Sequence, residues 1–71
     1  MIRVKENINI LELLGNLGFT SYKLRKEKIF SESSIQRLRK GELPSWKELD
    51  FICKTTMLDI SELIEFIDDR N

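Results

Sequence analysis

The sequence predicts an all-α domain of five short helices. Three observations carry this: capping residues recur at helix-start spacing, apolar residues recur at helical spacing, and the gaps between the two patterns are short. The starts come first. Phe19-Thr20 is answered by Leu24, Phe30-Ser31 by Ile35, Pro44-Ser45 by Leu49 and Leu58-Asp59 by Leu63. Each unit is an apolar residue, a side chain that accepts a first-turn N–H, and an apolar residue four positions after the cap. Glu48 follows Ser45, and Glu62 follows Asp59, at the spacing of a reciprocal capping box. Ile8-Asn9 with Glu12 and Leu13 is a weaker fifth start.

The stripes agree with the starts. Ile10, Leu13, Leu14 and Leu17 fall at i, i+3, i+4, i+7, and so do Ile60, Leu63, Ile64 and Ile67. Trp46, Leu49, Ile52 and Cys53 line one side of a fourth helix, so Trp46, Phe51 and Cys53 read as core or partly buried packing. Gly18 and Gly41 are placed to end helices in left-handed caps, and Pro44 stops continuation. The expected helices cover 6–18, 20–28, 31–40, 45–55 and 59–67 in one domain, 1–71. Residues 1–5 form an N-terminal arm and 68–71 an acidic tail. Ile2 and Val4 alternate with Arg3, as in a short strand or an extended arm. Gly15, inside the first helix, costs about 1 kcal/mol against alanine unless another backbone packs there.

Composition narrows the function. The chain has 71 residues, 41% hydrophobic and 34% charged, which is too apolar for disorder. A chain this small buries only about 60% of its unfolded surface, so its stability margin is thin and dimerisation would help. No apolar run approaches the ~18 residues of a membrane span. The N-terminus has no signal-peptide pattern, and the single Cys53 cannot pair internally. A soluble cytoplasmic protein is expected. Histidine is absent, which removes the common zinc ligand sets and the Ser-His and Cys-His catalytic pairs. No enzyme and no cofactor are expected.

The zero net charge conceals a division. Residues 20–41 hold seven cations and two acids, a net of +5, and the remainder holds five cations and ten acids, a net of −5. Asp59, Glu62, Glu65, Asp68 and Asp69 gather at the acidic end. Charge runs on helices are usually solvated faces, but here placement adds information. With Ile35 and Leu38 facing the core, Ser33, Gln36, Arg37 and Lys40 project outward. That surface of hydrogen-bonding groups backed by positive charge suits a DNA groove.

The stretch LGFTSYKLRKEKIFSESSIQRLRKGELPSWKELDFICK, followed by DISEL, resembles a phage-repressor helix-turn-helix domain of the Cro/cI-like (XRE) superfamily. The likeness runs from about Asn9 to Ile67. Leu17, Gly18, Thr20, Leu24, Ser31, Ser33, Ile35, Leu38, Gly41, Pro44, Leu49, Ile52 and Leu63 occupy the family's framework positions. Three residues depart from it. Arg25 replaces a small residue in the second helix, Ile29 the turn glycine, and Arg39 an acid near the end of the third helix. An isoleucine in a left-handed conformation would be strained, so a modified turn is expected.

The resemblance implies a compact five-helix, lambda-repressor-like fold with the helix-turn-helix at helices 2 and 3. Helix 31–40 would then enter the major groove. Glu32, Ser33, Gln36 and Arg37 match base-reading positions, Arg37 suiting guanine and Gln36 adenine. Glu32 suits a cytosine amino group, or serves only as a first-turn acid. Ser21 and Tyr22 match phosphate-gripping positions, with Lys40 beside the backbone and Lys47 a further phosphate candidate. Ser31 is expected to cap its own helix. The implied function is a sequence-specific double-stranded-DNA-binding transcriptional regulator, a repressor before an activator. A homodimer would bind two half-sites roughly 34 Å apart. The alternative is a protein-interaction module on the same fold, an antitoxin or accessory factor docking a basic partner through its acidic C-terminal face. Phe66 and Ile67 are candidates for a dimer contact or for packing on helix 1.

Overall fold

A computed structural model describes residues 1–68 and 70. The elements run β1 (Ile2–Val4), α1 (Ile10–Asn16), α2 (Ser21–Lys26), α3 (Glu32–Arg39), α4 (Trp46–Thr56), α5 (Ile60–Leu63) and β2 (Ile64–Phe66). The class is all-α, with one small two-stranded sheet. No helix among the described residues is long and apolar enough to cross a membrane.

All five capping residues do what their chemistry suggests. Asn9, Thr20, Ser31, Ser45 and Asp59 each accept a first-turn backbone N–H, and Glu48 and Glu62 return bonds to the N–H groups of Ser45 and Asp59. The first three helices end alike. Behind α1, Gly18 takes φ 93°, and the N–H groups of Gly18 and Phe19 bond the carbonyls of Gly15 and Leu14. Behind α3, Gly41 takes φ 78°, and Gly41 and Glu42 bond Leu38 and Arg37. This paired closure satisfies carbonyls that the helix end would orphan.

The turn between α2 and α3 uses the same closure without glycine. Lys28 takes the left-handed position at φ 57°, and Lys28 and Ile29 bond the carbonyls of Arg25 and Leu24. Ile29 escapes the strained conformation and packs half-buried against the core. That core contains Ile10, Leu14, Leu24, Phe30, Ile35, Leu38, Ile52 and Leu63. α1 packs on both α3 and α4. Phe51 of α4 meets Phe19 and Phe30 edge-on, at centroid distances of 5.5 and 5.6 Å. Since Phe19 precedes the cap of α2 and Phe30 that of α3, one ring ties down both helix starts.

Four expectations are corrected. The first helix begins at Ile10, not near residue 6, because Glu6 and Asn7 form a turn and Asn9 caps the helix. Leu17 leaves the α1 stripe: it lies past the helix end and is 52% exposed. Gly18 reverses the chain there, and half-buried Phe19 joins the core edge instead. Trp46 is not packed inside but 76% exposed, because the buried face of α4 centres on Leu49 and Ile52.

The last expected helix, 59–67, stops at Leu63. Ile64–Phe66 then pairs antiparallel with β1 in the register Ile2↔Phe66, Arg3↔Glu65 and Val4↔Ile64. The Lys5 N–H bonds Leu63 O, and the Ile67 N–H bonds Met1 O, extending the clasp at both ends. Arg3 and Glu65, directly opposite, form an ion pair at 3.0 Å. The β-branched Ile64 suits an extended chain once a partner strand is present. Phe66 and Ile67 therefore belong to this clasp and its flank, not to a helical stripe. Asp69 of the acidic cluster and Asn71 of the tail lie outside the described residues.

Candidate nucleic-acid interface

The candidate interface is the outer face of α3. Ser34, Ile35 and Leu38 are buried, while Glu32, Ser33, Gln36, Arg37, Arg39 and the cap residue Lys40 are exposed. The four sequence-expected base readers thus share one solvent face. They are already bonded to one another and to neighbours.

Glu32 is held from two sides. Arg25 Nη1 donates to its Oε2 at 3.0 Å, and Gln36 Nε2 donates to its Oε1 at 3.1 Å. The Arg25 hydrogen bond, followed by that from Gln36, holds the exposed Glu32 carboxyl below its ordinary 4.5. Arg25, one of the three departures, therefore does not intrude between the helices. It bridges α2 to the first turn of α3.

A second network lies beneath Arg37. Its Nη2 donates to Ser34 Oγ at 3.0 Å and sits 3.9 Å from Glu48 Oε2. Ser31 Oγ, besides capping α3, bonds Ser34 Oγ at 3.1 Å and shares a hydrogen bond with Ser33 Oγ at the same distance. Burial pushes the Glu48 carboxyl up. The nearby Ser34 hydroxyl, the Ser45 N–H and the Arg37 charge outweigh that and leave it below its ordinary value.

The expected phosphate contacts bracket this face. Ser21, at the start of α2, lines a surface groove with Leu38 and Arg39, beside the C-terminal half of α3. Tyr22 is 65% exposed, with Lys26 Nζ over its ring at 5.7 Å from the centroid. Lys47 lines a depression with Lys28, Ser31, Ser34 and Glu48, at the opposite, N-terminal end of α3. Lys40 is exposed where α3 closes. Two residues of the site escape sequence reasoning in this role. Ser34 is a buried hub, at 5% exposure, and Glu48 reaches Arg37 besides completing its capping box. The capping spacing marks Glu48 as a helix-start residue, but no local pattern links it to α3.

Residues 9–69 match the model of the Cro/C1-type helix-turn-helix DNA-binding domain. With most of its length covered and the helix pair in place, the chain belongs to that family of DNA-binding domains. No curated protein and no solved structure matches it.

Proposed function

We propose that the protein is a sequence-specific regulator of transcription, acting as a repressor that occupies double-stranded DNA with α3 in the major groove. One observation carries this reading. The exposed side of α3 holds Glu32, Ser33, Gln36, Arg37 and Lys40 over a buried side of Ser34, Ile35 and Leu38. Arg37 is assigned to guanine and Gln36 to adenine, with Ser33 in reach of either. Glu32 reads a base with the lone pairs that Arg25 and Gln36 leave on its two oxygens. Ser21, Tyr22, Lys40 and Lys47 are assigned to phosphates, which set register without reading sequence. A homodimer placing two copies of α3 roughly 34 Å apart fits one helical turn of DNA.

The alternative, a module that docks a basic partner through the acidic C-terminal face, is the weaker reading. Glu65 is paired with Arg3, Glu62 is bonded to the Asp59 N–H, and Asp68 is paired with Arg70. These acids serve the chain's own folding.

The test is a titration of labelled duplex from the gene's own upstream region, with wild type and Arg37→Ala at several salt concentrations. The regulator binds this duplex at least ~10³-fold tighter than scrambled DNA. Its affinity falls steeply with salt. Arg37→Ala costs about 1–3 kcal/mol of specific binding. Equal, weak binding of both proteins to both duplexes would count against the assignment.

A further inference from the structure

The carboxylate nearest Arg37 comes from another helix. Glu48 lies in the first turn of α4, its side chain 15% exposed against 47% for Arg37. Its Oε1 accepts the Ser45 N–H at 2.9 Å, and its Oε2 is 3.9 Å from Arg37 Nη2. Between the two helices stands the buried Ser34 hydroxyl, which accepts from Arg37 at 3.0 Å and from Ser31 at 3.1 Å. With its acceptor positions used, the Ser34 hydroxyl has only its proton left to offer, and Glu48 lines the same depression.

Resting on the DNA-reading assignment above, we propose that Glu48 is a specificity-determining positioning residue. Through Ser34 and its own charge it sets the direction in which Arg37 leaves α3, and so how firmly Arg37 distinguishes one base pair. Two effects act together. An arginine fixed before DNA arrives loses less freedom on binding the correct base. The same carboxylate competes with any phosphate for the guanidinium, which penalises non-specific DNA more than a site offering bidentate acceptors.

The experiment selects binders from short duplexes with a randomised core, using wild type, Arg37→Ala, Glu48→Gln and Ser34→Ala. The base pair whose preference disappears in Arg37→Ala is the one Arg37 reads. Glutamine preserves the capping bond to Ser45 while removing the charge. At that base pair, preference falls at least about fivefold in Glu48→Gln and in Ser34→Ala, while other positions keep theirs. Affinity for a fixed scrambled duplex is equal or higher. Unchanged preference in either variant that still unfolds cooperatively overturns the proposal. The Nε relaxation of Arg37 in the free wild type gives a readout independent of variant folding. It is backbone-like if Arg37 is held, and a freely mobile guanidinium overturns the proposal. A wild type that enriches no sequence overturns the DNA-reading assignment and this one with it. Enrichment with unaltered preference in the variants overturns this one alone.

Discussion

At Lys28 the backbone adopts φ 57°, where the Cβ of an L-residue crowds its own carbonyl at a cost of about 1–2 kcal/mol. The closure bonds to Arg25 and Leu24 offset that cost. Lys28→Gly keeps the closure and removes the crowding, against a larger entropy loss on folding. It should stabilise the chain by about 0.5–1 kcal/mol, raising Tm by several degrees. Gly15 is the opposite case. Among the described residues, no heavy atom outside its own helix backbone and chain neighbours lies within 4 Å of an added Cβ. No close backbone approach therefore explains this glycine, and Gly15→Ala should stabilise by up to about 1 kcal/mol in the same thermal scan. The caps at Asn9, Thr20, Ser31, Ser45 and Asp59 were legible because each bond spans only two or three residues. The Arg25–Glu32 pair was not, because its partners stand seven positions apart across a turn.

Among elements, α2 and α3 are short, and their relative angle depends on what packs behind them. Phe51 supplies part of this by meeting Phe19 and Phe30 together. Phe51→Ala should destabilise by about 3 kcal/mol, measured by urea unfolding. DNA affinity should fall further than the unfolded fraction explains, because the angle between α2 and α3 loosens. The stretch from Ile60 to Ile67 shows why one element was misread. Ile60, Leu63, Ile64 and Ile67 fit a helical stripe, while Ile64 and Phe66 flanking Glu65 fit an alternating strand equally well. The pairing with β1, about sixty residues away, selects the strand, and no local window contains that partner.

For the whole molecule, the carboxylates held by hydrogen bonds have a consequence under acid. Glu32, Glu48, Asp59 and Asp68 all titrate below their ordinary values, held down chiefly by Arg25 for Glu32, by the Ser34 hydroxyl and the Ser45 N–H against burial for Glu48, by Ser61 for Asp59 and by Arg70 for Asp68. A carboxyl whose folded pKa is depressed contributes stability that is complete above its unfolded value. That stability is lost as pH falls through the folded value. The urea midpoint should therefore hold near neutrality and decline below about pH 5. Glu48→Gln should show a smaller decline over that interval, since its share has already been removed.

The amino-acid sequence by itself determined the helix starts after Thr20, Ser31, Ser45 and Asp59, the closures at Gly18 and Gly41, and the polar outer face of α3. It also carried the family resemblance that residues 9–69 bear out. These follow from hydrogen bonds and side-chain spacings within one or two helical turns. Tertiary structure alone decided that Trp46 and Leu17 face solvent, that the chain ends clasp as a sheet, and that Arg25 bonds Glu32. It also placed Ser34 and Glu48 beneath Arg37. Each of these depends on which elements meet across the core, and residues distant in sequence acquire neighbours only when the whole chain has packed.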